Sequence, residues 1–272
     1  EKQSLWETFE KSAETLSSYV GASESLLRKQ LKLKKTLLIE GAQGTLLDLD
    51  HGIYPYVTSS STLAASAMAS LGMDPRKVDK IIGIAKAYTT RVGEGAFPTE
   101  LHDDIGRSLA KKGNEFGATT GRPRRCGWYD AVAMRYACEL NGIDQLILNK
   151  IDILSGFETL KIANSYLHPT SGELKEFPNN SLLLQTCKPS YVELPGWEED
   201  INMVKTKENL PKNLLLYVEA IEDLSETQIS MLGIGPQKSQ FIDLKNKKSF
   251  FLSHQEKNKN HFYNNHIPSR LS

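Results

Sequence analysis

Residues 131–149 constrain the fold more than any other stretch of the chain. Residues 131–140 carry small and apolar side chains at helical spacing, Asn141-Gly142 breaks the pattern, and 145–149 is a short apolar run suited to a buried strand. A helix turning directly into a buried strand is one αβ unit, which predicts an α/β protein. Leu37, Leu38 and Ile39 read as another short buried strand, entering the turn Gly41-Ala42-Gln43-Gly44, and residues 81–88 read as a third. Residues 3–35 place Leu5, Phe9, Ala13, Leu16, Leu26, Leu27, Leu31 and Leu33 at helical spacing with a break at Gly21, so two helices are expected. Residues 59–71 are helical in character, and 93–120 read as long ordered loops. After Phe157 short strands and turns are expected, then a helix over 210–224 opened by Pro211. A strand should follow the glycine turn Gly233-Ile234-Gly235-Pro236.

Composition removes several classes of function. Lys plus Arg and Asp plus Glu number 33 each, so no single-sign field covers the molecule and a general nucleic-acid binder is disfavoured. Cys126, Cys138 and Cys187 are too scattered for a disulfide framework or a paired metal site, which fits a reduced cytoplasmic compartment. No apolar run approaches the roughly 20 residues of a membrane span. Residues 243–272, rich in Lys, Asn, His and Ser, are expected to form a disordered tail beyond a folded region of residues 1–242.

Three motifs carry chemistry. Asn149-Lys150-Ile151-Asp152 ends an apolar strand: Asp152 can accept from the ring N–H and the exocyclic amine of guanine while the Lys150 stem lies over the base. Adenine has no such donor pair; the plainer reading is a polar turn that ends a strand. Gly117-Ala118-Thr119-Thr120-Gly121-Arg122-Pro123-Arg124-Arg125 places two hydroxyls and three guanidinium groups between glycines, suited to bidentate capture of carboxylate or phosphate, or else a solvated basic loop. Glu40-Gly41-Ala42-Gln43-Gly44-Thr45 and Val57-Thr58-Ser59-Ser60 offer an amide, hydroxyls and free N–H groups to a nucleotide, although Gln43 could serve a neighbouring loop and Thr58 could cap a helix. No Gly-x-x-x-x-Gly-Lys-Ser/Thr phosphate loop and no metal-ligand cluster is present, and His51, His102 and His168 are isolated.

Taken together, residues 38–48, Asp50-His51-Gly52, Tyr54-Pro55-Tyr56-Val57-Thr58-Ser59-Ser60, the 117–128 loop and Lys150-x-Asp152 resemble adenylosuccinate synthetase in that family's order. Tyr88-Thr89-Thr90-Arg91-Val92-Gly93, Phe97-Pro98-Thr99-Glu100-Leu101, Leu194-Pro195-Gly196-Trp197 and Gly235-Pro236 add to the resemblance, which covers about residues 26–244.

The resemblance implies part of a P-loop-NTPase-like α/β fold with a mostly parallel central sheet, and a GTP-dependent ligase of AMP biosynthesis that joins IMP and L-aspartate. It implies IMP contacts at Gln43, Thr58, Val92, Gly93 and Arg122. Aspartate would meet Ala118, Thr119, Thr120, Gly121, Arg122, Pro123 and Arg124; GTP would meet Arg124, Lys150, Ile151, Asp152, Gly233, Ile234 and Gly235. Gly233 stands where the family more often has Ser, so one side-chain contact to the base is absent.

The family's base Asp, acid His, phosphate loop, magnesium ligands and an arginine lent across a homodimer are expected in a segment preceding Glu1. No catalytic or metal-binding residue is therefore assigned here, and the chain alone is expected to be inactive. The competing reading is a noncatalytic purine-nucleotide module or relic.

Overall fold

The computed structural model describes residues 2–117, 121–178 and 180–244. The expected tail over 243–272 lies almost wholly outside them. The chain divides into two units, residues 1–42 with 63–79, and residues 43–62 with 80–272.

The first unit holds three helices, α1 (Lys2–Ser17), α2 (Ser23–Lys32) and α3 (Ala64–Ser70). The two expected amino-terminal helices form, with the break around Gly21, and none of the residues of α1 or α2 is buried. Residues 37–39 correct the sequence reading: they form no strand, and Leu38 is 91% exposed. Apolar content alone does not make a strand. The backbone needs a neighbouring ladder, and no described strand pairs with this run.

In the second unit the order is β1 (Ile82–Lys86), β2 (Thr89–Arg91), α4 (Asp104–Lys112), β3 (Arg125–Gly127), β4 (Tyr129–Asp130), α5 (Ala131–Asn141), β5 (Gln145–Asn149), β6 (Thr159–His168), β7 (Gly172–Leu174), α6 (Ser181–Thr186), β8 (Lys188–Pro195), α7 (Lys212–Ser225), β9 (Ile229–Gly233) and β10 (Phe241–Asp243). The central sheet runs β1-β5-β9-β10, parallel at β1/β5 and β5/β9 and antiparallel at β9/β10. The mostly parallel sheet is therefore present. A second sheet is built on β6, which pairs with β4 in parallel and with β7 and β8 antiparallel. Leu146 and Leu148 of β5 and Leu214, Tyr217 and Ile221 of α7 are all but fully buried and anchor one apolar core. Burial of large apolar side chains of this kind supplies most of the folding drive.

Two further departures have local causes. The 93–120 region, expected as loops, contains α4: Asp103 caps it by accepting from the Gly106 N–H, and Leu109 is fully buried. Gly106 weakens the helical signal in sequence, but it packs so closely on the Leu101 carbonyl that a Cβ would collide. Beyond Phe157, β6 is ten residues long rather than a short strand.

The αβ unit itself is defined at both ends. Asp130 accepts from the Ala133 N–H to start α5, and Gly142 ends it in the left-handed region at φ 61°. Asp130 is deeply buried, and desolvation raises its pKa to about 6, although the Tyr166 hydroxyl donates to both its oxygens at 2.9 and 2.8 Å. A raised carboxylate pKa makes the folded state bind a proton that the unfolded state releases. This contribution is full below the unfolded pKa near 3.8 and is lost as pH rises through about 6. Asp130→Asn keeps the cap, so it is expected to gain on the wild type by about 2 kcal/mol as pH goes from 4 to 7. Urea midpoints across that range measure it; parallel curves would contradict it.

Candidate functional site

Parallel strands β5 and β9 end side by side, with Leu148 opposite Leu232, and their carboxyl ends present Asn149-Lys150-Ile151-Asp152 and Gly233-Ile234-Gly235 together. Crevices at this end of an α/β sheet are where such folds take ligands. Lys150 adopts a left-handed conformation at φ 62° and residues 151–154 turn through a 3-10 helix. Ile151 is fully buried and Asp152 is half-buried. Desolvation raises the Asp152 pKa, partly offset by its own backbone and Lys150 and reinforced by Asp200. Gly233 lies so close to Asn149 that a Cβ there would strike the Asn149 carboxamide, whose Oδ1 is buried without a hydrogen-bond partner. Ile234 is buried and its N–H donates to the Gln240 carbonyl at 3.0 Å.

The arginine loop begins beside these strand ends. Its base is closed by backbone bonds: Arg124 N–H to Glu115 O at 2.9 Å, Gly117 N–H to Arg122 O at 2.8 Å and Gly121 N–H to Gly117 O at 2.8 Å. Ala118, Thr119 and Thr120 lie outside the described residues. Arg122 and Pro123 are exposed, and Arg122 makes no ion pair among the described residues.

One carboxylate, missed by sequence reading, joins the two elements. The Glu115 side chain is fully buried. Its Oε1 accepts from the Tyr88 hydroxyl at 2.6 Å and Lys150 Nζ at 2.7 Å; its Oε2 accepts from Lys86 Nζ at 2.8 Å and Arg124 Nη1 at 2.8 Å. Lys150 also donates to the Gly113 carbonyl at 2.5 Å, and Lys86 to Thr90 Oγ1 at 2.8 Å. Desolvation alone would raise the Glu115 pKa, but donation from Lys150, Lys86, Tyr88 and Arg124 wins and holds it at about 2. Burial and the same carboxylate raise Tyr88 well above the usual phenol range. The available signal was a lone acid two residues before a loop holding three arginines.

Two guanidinium groups, Arg91 buried and Arg125 partly exposed, draw the remaining segments in. Arg91 donates to the Glu94 carbonyl at 3.0 Å and to the Tyr56 carbonyl at 3.1 Å, so the loop carrying Thr58 meets the turn carrying Val92 and Gly93. Arg125 donates to Gly93 O at 3.1 Å and Gly95 O at 2.9 Å while pairing with Glu100, fixing the end of the arginine loop to the same turn. Thr58 itself is held by its N–H to Leu47 O at 2.8 Å. Gln43 is exposed at φ 62° and is not drawn into this network by any bond among the described residues.

Fold and site define an α/β protein with a cluster of cationic side chains gathered on one buried carboxylate at the carboxyl ends of parallel strands. A family model described as adenylosuccinate synthetase matches residues 1–242, and the chain belongs to that family. The adenylosuccinate synthetase of Alkaliphilus metalliredigens is 49% identical over 243 residues, covering 89% of this chain and 56% of the relative. That of a Geobacter species is 47% identical over 245 residues, covering 90% and 56%. The solved structure of fully ligated adenylosuccinate synthetase from Plasmodium falciparum matches with a TM-score of 0.87 at 37% identity, over 91% of this chain and 58% of that one. The chain thus spans a little over half the length of the relatives it matches.

Proposed function

We propose that this chain supplies the guanine, IMP and aspartate contacts of a GTP-dependent ligase that joins IMP and L-aspartate into adenylosuccinate, releasing GDP and phosphate. The observation that carries this reading is the union, through Glu115, of the Lys150-x-Asp152 turn with the arginine loop. Asp152 would accept from guanine, with Lys150, the Ile151 backbone and the Gly233, Ile234 and Gly235 backbone around the base. Arg122 and Arg124 would hold aspartate carboxylates, with Ala118, Thr119, Thr120, Gly121 and Pro123 completing that loop; Arg122 would also face IMP and Arg124 GTP. Gln43, Thr58, Val92 and Gly93 would contact IMP. A homodimer and a cytoplasmic setting belong to the same reading of the whole protein.

No three His, Cys, Asp or Glu side chains gather among the described residues to hold an ion. The described side chains thus offer no such cluster for the magnesium that the family implies, and no step is derived through it. No described helix is long and apolar enough to cross a membrane.

Phosphoryl transfer depends on positioning and charge stabilisation around the β- and γ-phosphates, and the sequence holds no glycine-lysine loop to provide them. The pure chain is expected to bind ligands without turning over GTP, and release of phosphate dependent on IMP would contradict this. The reading is tested by limited trypsin cleavage at Arg124 and Arg125. Aspartate added with GDP and IMP should slow cutting there, whereas equal cutting with and without aspartate would overturn it in favour of a simple purine-nucleotide module.

A further inference from the structure

We propose that Glu115 is a positioning residue that couples guanine recognition to carboxylate capture, so that an aspartate-like ligand at the arginine loop tightens the grip on the guanine base. This rests on the reading of the two sites given above.

The geometry leaves Glu115 no slack. A carboxylate has about four acceptor positions, and all four are taken: Tyr88 and Lys150 on Oε1, Lys86 and Arg124 on Oε2. In a buried network a change in one bond alters its neighbours, because the charge on the shared acceptor is redistributed and little water is present to compensate. The three cations keep between 28% and 33% of their side-chain surface exposed, whereas Glu115 keeps none. Ligands therefore reach the cations and never the carboxylate.

The direction of coupling follows from competition for Arg124. Around Glu115 three cations face one anion, an excess of two positive charges. A ligand carboxylate that takes donors from Arg124 weakens its bond to Oε2. More of the Glu115 charge is then available to Lys86 and Lys150. Lys150 is thereby held more firmly between Oε1 and the Gly113 carbonyl, with its stem fixed where the base would lie. Lys86 carries the same shift to Thr90, two residues before Val92. By linkage the effect is reciprocal: GDP must tighten the carboxylate ligand by the same factor.

The experiment uses the whole chain and fluorescent GDP, titrated with and without saturating L-aspartate, with ADP as the competing nucleotide and a thermal melt of every variant. The wild type should prefer GDP to ADP, and aspartate should lower the GDP Kd by about tenfold. Glu115→Gln, which keeps the shape and removes the charge, should bring that ratio to about one. A purely structural role would weaken GDP with and without aspartate alike and leave the ratio unchanged. Should Glu115→Gln fail to melt cooperatively, Glu115→Asp decides. It keeps the charge but is too short to serve Lys150 and Arg124 together, so its ratio should also fall towards one. A wild-type ratio of one, or a ratio unchanged in the folded variant, overturns the coupling while leaving the site reading intact. A wild type with no preference for GDP removes both.

Discussion

Replacing Glu115 with alanine should cost the fold about 3 to 5 kcal/mol at neutral pH, the range seen when one member of a buried ion network is removed and its partners are left uncompensated. Lys86, Lys150 and Arg124 all direct a donor at this carboxylate, and Tyr88 adds a buried hydroxyl. Without it three positive charges crowd a partly buried site, and like charges repel there more strongly than in water. The effect should depend on pH. The Glu115 pKa is held at about 2 against an ordinary value of 4.5, so the wild type's gain is fully present above 4.5 and disappears as pH falls through about 2. Urea midpoints of wild type and Glu115→Ala should therefore be far apart at pH 7 and converge in acid. Equal midpoints at pH 7 would show that the carboxylate contributes nothing.

Asp152→Ala should change nucleotide choice more than any other single substitution. A carboxylate that accepts twice from guanine meets no equivalent donors on adenine, and each charge-assisted hydrogen bond contributes roughly 1.5 to 3 kcal/mol. Losing both should weaken GDP binding on the order of a hundredfold or more and leave ADP nearly unchanged. The half-buried setting of Asp152 and its raised pKa add a pH signature. Guanine needs the ionised acid, so GDP binding should fall off at a higher pH than an exposed aspartate would give. Competition titrations of GDP and ADP against the variant measure both effects. A parallel loss for the two nucleotides would mean that Asp152 supports the turn rather than reads the base.

The elements legible in sequence were those whose signal is local. Helix α5, the turn at Gly142 and strand β5 were readable because apolar spacing, a breaker and a short apolar run follow one another without interruption. Residues 37–39 looked just as strand-like, yet strand formation depends on a partner that spacing cannot reveal. Helix α4 was hidden by Gly106, whose lack of a side chain serves a close approach to Leu101.

The site shows the same division. Arg124, Lys150 and Asp152 stood out because their neighbours in sequence make a recognisable turn or loop. Glu115, Lys86 and Tyr88 did not, since each looks ordinary until the sheet brings positions 29 and 35 residues away onto one carboxylate. Likewise Arg91 and Arg125 matter for the carbonyls they hold at Tyr56, Gly93 and Gly95, which no spacing rule connects.

The most direct test of the account is calorimetric titration of the wild-type chain with GDP and, separately, with ADP at neutral pH. Binding of GDP at least tenfold tighter than ADP is the predicted result, because only guanine offers Asp152 its two donors. Equal affinities, or binding of neither nucleotide by a cooperatively folded chain, would contradict the account.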